Sequence, residues 1–134
     1  MTPDIAQTIF AENFADWVQA LELKVMEVSS DHVLIRMPLG DHLARVGGIV
    51  SGQALAALAD TTMALSIIAH FPEPRPFATT DLHTQFLRPG VGTAILCRAE
   101  VVRAGKSLVF TRAEMTEETS GKPVATATAT FFAG

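Results

Sequence analysis

The stretch GGIVSGQALAALADTTMALSII, residues 47–68, decides the fold. From Ser51 onward it is rich in Ala and Leu, free of Pro, and continues to His70, where FPEPRP (71–76) sets three prolines against any further helix. Ser51 is a good N-cap residue, and the glycines before it suit a tight turn into the helix. The predicted helix therefore runs from about Ser51 to His70 and spans about 28 Å. It is apolar on nearly every face, so other elements must surround it. Asp60 is the only charged side chain between Arg45 and His70, and it lies about two and a half turns in.

Outward from this helix the pattern changes. After Phe77 the chain reads as strand: ATTDLHTQFL ends at RPG, GTAILCRAEVVR at AGK, SLVFTRAEMTEE at TSGK, and PVATATATFF completes the run. Short Gly-containing turns between alternating segments predict antiparallel neighbours. Upstream, ELKVMEVSS and HVLIRMPL predict a hairpin, and Leu39 to Gly48 reads as a polar loop. Residues 4–20 carry apolar side chains at helical spacing and predict one amphipathic N-terminal helix anchored by Phe10, Phe14 and Trp17. The expected fold class is α+β: one domain over residues 1–134, with 1–20 as a helical extension and five or six antiparallel strands curved around one central helix.

Bulk properties narrow the function. Hydrophobic residues make up 49% of the 134, enough for a core that buries about 65–70% of the unfolded surface. The net charge is −4 and the Lys and Arg residues are scattered, which argues against a nucleic-acid partner. A single cysteine, Cys97, rules out an internal disulfide and suits a reducing compartment. The first residues lack the basic-then-apolar pattern of a secretory signal, and Ala54 to Ala69 is short for a bilayer span and carries Asp60. A cytoplasmic protein with no membrane partner is the expectation. His32, His42, His70 and His83 share no ligand spacing, so no metal site is expected.

Asp60 has two readings. It solvates an exposed strip shared with Thr61, Thr62 and Ser66, or it is a buried carboxylate with a task. Gly52 also has two. It eases the turn with Gly47 and Gly48, or its backbone N–H, at the positive end of the helix, receives a developing oxyanion. The two residues are eight apart, or about 12 Å along one helix, so a carbonyl held by the Gly52 N–H cannot also lie within about 3 Å of Asp60 in the same chain. Joint action therefore requires a second copy of the chain with its helix antiparallel.

The pattern Gly48-Ile49-Val50-Ser51-Gly52-Gln53, with Asp60 nine residues after Ser51, resembles the hotdog-fold acyl-CoA thioesterases, particularly the phenylacetate-degradation (PaaI-like) branch. TTDLHTQFLRPG and GKPVATATATF are similar to later strands of that family, and the likeness covers roughly residues 20–133. The resemblance implies hydrolysis of an acyl-CoA thioester by a homodimer, often paired into a homotetramer, with coenzyme A as part of the substrate and no separate cofactor. It assigns the carboxylate to Asp60, as nucleophile or as general base, and the oxyanion N–H to Gly52. It assigns a positioning hydroxyl to Thr79. Arg103 and Lys106 are the cations expected near the CoA phosphates. The family's His stands as Ser51, its second Gly as Gln53 and its upstream Asn as Arg45. Ser51 caps and donates, Gln53 reaches the thioester, and Arg45 favours an acidic acyl group or CoA. Asp81, two residues from Thr79, is expected on the same strand face. The same departures fit a protein that binds acyl-CoA without turning it over. A hydratase site would need His at position 51.

Overall fold

A computed structural model describes all 134 residues. Its central helix, α3 (Gly52–His70), begins where the sequence predicts, with Ser51 as N-cap accepting from the Ala54 N–H at 3.3 Å. It ends at Phe71, whose extended backbone leads into the prolines. Around it curls a six-stranded antiparallel sheet in the order β1 (Lys24–Val28), β2 (Val33–Pro38), β6 (Ala94–Ala104), β7 (Leu108–Glu117), β8 (Pro123–Ala133), β5 (Phe77–Phe86). This is the α+β hotdog arrangement.

The core is the space between sheet and helix. Leu58, Met63 and Ile67 of α3 are fully buried against inward positions such as Ile35, Met115 and Phe131. Truncating one such Leu or Met to Ala costs about 2–5 kcal/mol. The inward row of β8 is small (Ala125, Ala127, Ala129), leaving room for α3 to pass over the sheet. α3 is long and apolar enough to cross a membrane, but here it packs on β2, β5, β6, β7 and β8.

Two predicted elements differ. The N-terminal helix is two helices, α1 (Pro3–Asn13) and α2 (Asp16–Gln19), because Phe14 and Ala15 both adopt extended ψ values near 150°. The Gln19 amide, donating to the Phe10 carbonyl at 2.7 Å, ties the corner. Phe10 is buried and Phe14 half-buried, but the turn leaves Trp17 65% exposed, so Trp17 is no anchor. The loop from Leu39 to Gly48 contains a 3-10 turn (Asp41–Leu43) and the first strand of a small ladder, β3 (Ala44–Arg45) with β4 (Ile49–Val50). Gly47 and Gly48 make its turn at φ +98° and +73°, values that favour glycine.

The edges of the sheet are unequal. β1 is covered by α1, whose Gln7 side chain accepts from the Val25 N–H at 2.8 Å. β5 has β8 on one side and no strand on the other, and eight of its ten residues are exposed.

Candidate active site

Asp60 does not belong to a solvated strip. Thr61, Thr62 and Ser66 are all buried, and the Thr62 and Ser66 hydroxyls donate back to the Leu58 and Met63 carbonyls at 2.7 and 2.6 Å. Asp60 itself is half-buried and points at the start of β5, where the Thr79 hydroxyl donates to its Oδ1 at 2.9 Å. Burial pushes its carboxyl above the ordinary range, and the Thr79 bond pulls partly the other way. A carboxylate with one oxygen held and the other free, in a partly desolvated seam, is equipped to take a proton or to attack.

The register of β5 explains which side chains share that seam. Phe77 pairs with Ala133 and Thr79 with Phe131, both inward positions. A bulge then inserts Thr80, so that Asp81 pairs with Thr130 and Leu82 with inward-facing Ala129. Asp81 therefore lies on the face opposite Thr79, contrary to the simple two-residue alternation, because a bulge reverses the parity of the strand. His83 and Gln85 follow it outward, while Leu82, Thr84 and Phe86 turn toward α3.

This reversal brings Phe86 onto the start of α3. A Cβ on Gly52 would lie 3.1 Å from the Phe86 ring, so glycine permits this close approach. The Gly52 N–H, first in the helix, has no acceptor within it. A second cleft, of about 400 Å³, opens here between Gly52, Leu55, Phe86 and two arginines, Arg45 and Arg88. Ser51 spends its hydroxyl on the helix cap, and Gln53 is exposed beside the cleft without joining its walls. Gly48 borders a smaller cavity with Asp41 and Gly90.

Arg103 and Lys106 are not gathered into either place. Arg103 pairs across to exposed Phe110 on the outer face of the sheet, and Lys106 is exposed in the β6–β7 turn. Three strand spacings, or about 14 Å, separate Arg103 from Asp81 along that face. The sequence reading missed Arg88 and Phe86, although both stand inside the FLRPG stretch it had singled out. Burial pushes the Cys97 thiol up to about 12, so no reactive thiolate competes with Asp60. No cluster of His, Cys, Asp and Glu is arranged to hold a metal ion.

The family described as the acyl-CoA thioesterase N-terminal domain matches residues 41–132, which include every residue of the seam and the cleft named above. A candidate esterase of Thermoplasma acidophilum is 30% identical over 95 residues, covering 70% of each chain. Among solved structures, zebrafish thioesterase superfamily member 2 superposes with a TM-score of 0.89 at 22% identity, covering 100% of this chain and 99% of its own. A hypothetical thioesterase from Streptococcus pneumoniae, solved with coenzyme A, gives 0.79 at 20% identity, covering 87% and 90%. At those identities the structural likeness bears on the fold.

Proposed function

This chain belongs to the acyl-CoA thioesterase family, and from that membership we propose that it hydrolyses an acyl-CoA thioester to the free acid and coenzyme A. The acyl group is small or medium, aromatic ones included, as in the PaaI-like branch. The observation that carries the proposal is the Asp60–Thr79 pair, 2.9 Å apart, set in a helix whose Thr62 and Ser66 hydroxyls are buried and bonded back to its own carbonyls.

The site is shared between two copies of the chain. Asp60 and Gly52 lie about 12 Å apart on one helix, so a single copy cannot present both to one carbonyl. The unpaired edge of β5 supplies the contact: Leu82 and Phe86, and Leu87 just beyond, are 38%, 55% and 51% exposed. A second β5 laid antiparallel against it would continue the sheet and cover that apolar surface. The Gly52 end of the partner subunit's α3 would then face Asp60.

In this site Thr79 fixes Oδ1, leaving the other carboxylate oxygen to deprotonate a water or to attack the thioester carbon directly. Either course places negative charge on the carbonyl oxygen. An N–H at a helix start, with the positive end of the dipole behind it, stabilises that charge. Collapse of the intermediate expels the CoA thiolate. Where water attacked, this leaves the free acid; where Asp60 attacked, it leaves a mixed anhydride on the carboxylate, which a water then hydrolyses to the acid and Asp60. Arg45 and Arg88, which line the cleft with Gly52, would bind the phosphates of CoA. The reaction needs water and the protein's own groups, and no resident cofactor.

A panel of aromatic, short-chain and medium-chain acyl-CoA substrates, read by release of free thiol, tests this. Some substrate should be turned over, and Asp60→Asn should abolish the activity. The capping role of Ser51, where the family has His, favours a second reading in which the chain binds acyl-CoA without hydrolysis. Wild type and variant both silent, with acyl-CoA still raising the Tm, would select it.

A further inference from the structure

Beyond Asp60, toward the C-terminal end of α3, lies a cavity of about 570 Å³ that the reacting groups do not use. Ile9 of α1, Phe14 at the corner that follows it, Ile67 and Ile68 of α3, and Phe77 of β5 are among its apolar walls. Its walls on α3 and β5 follow the same faces that carry Asp60 and Thr79. Ile67 is seven residues after Asp60, two helical turns on and nearly the same face, about 10 Å farther along. Phe77 is two residues before Thr79 and ahead of the bulge, so it faces inward as Thr79 does.

The two ends of α3 differ in charge. The cleft at Gly52 holds Arg45 and Arg88 and no acid, whereas the far cavity has Glu73 beside Arg75, whose guanidinium lies 4.1 Å over the Phe71 ring at the rim. A phosphorylated carrier suits the first, and a hydrocarbon chain suits the second. We infer that this cavity is the acyl-chain pocket and that the protein selects straight-chain acyl groups of about eight to ten carbons. About eight carbons span the distance of about 10 Å between the helix levels of Asp60 and Ile67, and one or two more extend into the cavity past that level. An extended alkyl chain with C–C bonds of about 1.5 Å advances about 1.3 Å per carbon. The size of the cavity is ordinary for a ligand of this class. The inference rests on the thioesterase reading for its orientation, with the carbonyl at Asp60 and the chain running toward α1.

Non-hydrolysable S-alkyl-CoA thioethers of two to fourteen carbons, titrated calorimetrically into the full chain, test the pocket without requiring turnover. Kd should fall roughly fourfold per added methylene up to eight to ten carbons and then level. Ile68→Trp, or Ile9→Trp from the facing helix if the first variant does not fold, should cut the preference for a ten-carbon over a four-carbon chain at least tenfold. Phe14→Ala should move the plateau to longer chains. Affinity independent of chain length, or a preference untouched by either tryptophan, overturns the pocket even if thioesters are hydrolysed. Length-dependent binding without any hydrolysis supports the pocket and overturns the enzymatic reading instead.

Discussion

Replacing Thr79 by Val keeps the shape of the side chain and removes the one hydroxyl that donates to Asp60. A hydrogen bond to a charged group contributes about 1.5–3 kcal/mol. Because Asp60 is only half-buried, the lower end applies, and about 1.5 kcal/mol corresponds to roughly a tenfold loss of kcat/KM. The pH profile separates the two parts of that loss. Asp60 works ionised, so activity falls as pH drops through its pKa, which burial already holds above the ordinary carboxylate range. The Thr79 bond favours the ionised form and therefore lowers that pKa. Without it the acid limb of kcat/KM should move to higher pH. Well above the limb both proteins are fully ionised, and the deficit that persists there measures lost positioning.

The assay is thiol release under kcat/KM conditions from pH 4 to 9, with Thr79→Ser as the rescue. Serine restores the donor, so its acid limb should return to the wild-type position and most of the rate with it. If Thr79→Val leaves the limb where it was and the rate within twofold, Thr79 does not set the state of Asp60 and the seam is not the reacting centre.

Asp60→Asn should remove activity and raise the Tm at pH 7, by scanning fluorimetry. A carboxyl whose folded pKa lies above its unfolded value of 3.8 favours the fold below that pH, and the contribution is lost as pH rises through the raised value. The advantage of Asn should accordingly shrink on acidification below about 4, and a lower Tm at pH 7 would contradict the account. Glu117 has the opposite sign. Backbone N–H groups of Thr119, Ser120 and Thr93 bond its carboxylate and hold it at about 2, down from 4.5, so its contribution is present above 4.5 and lost as pH falls toward 2. Glu117→Gln should flatten the fall of Tm across that acid window, and an unchanged slope would dismiss its role. For the shared site, co-expressed Gly52→Val and Asp60→Ala chains should together recover about a quarter of wild-type activity in a statistical mixture, since mixed dimers retain one intact site. No recovery would place Gly52 and Asp60 in separate functions.

The central helix was legible because its signals agree: a capping serine at one end, three prolines past the other, and Ala and Leu between. The strands after Phe77 were legible from alternation and their Gly-bearing turns. Asp60 stood out because a charge in an apolar helix is costly, and its partner Thr79 was reached through the family resemblance. The misplacements have a common origin in tertiary pairing. Nothing in the composition of TTDL marks a bulge, yet the ladder with β8 inserts Thr80, and every later residue of β5 changes face. Asp81 leaves the seam and Phe86 enters the Gly52 cleft for that single reason. Arg103 and Lys106 drew notice as cations in a polar turn, but the β6–β7 register puts Arg103 on the outer face. Arg88 was overlooked because the cleft that uses it exists only once β5 lies beside the start of α3. The corner at Phe14–Ala15 has no Gly or Pro, and the Gln19 amide that fixes it acts from outside the helix it ends.

The open edge of β5 and the costly carboxylate explain each other. A ten-residue edge strand with two exposed aromatic or aliphatic inward positions, Leu82 and Phe86, is a liability in a chain that stays alone. Asp60 likewise weakens the fold whenever it is ionised. Both features lie on the same seam, and under the proposed pairing one event closes the edge and gives the carboxylate its use. A second copy covers the edge, and its helix start offers a positive pole to the charge that Asp60 creates on the substrate. The same covering removes water from around the carboxylate and raises its basicity further. On this reasoning catalytic competence is a property of the pair, and a chain that kept Asp60 but protected its β5 edge with charge would lose the donor that gives the carboxylate its use.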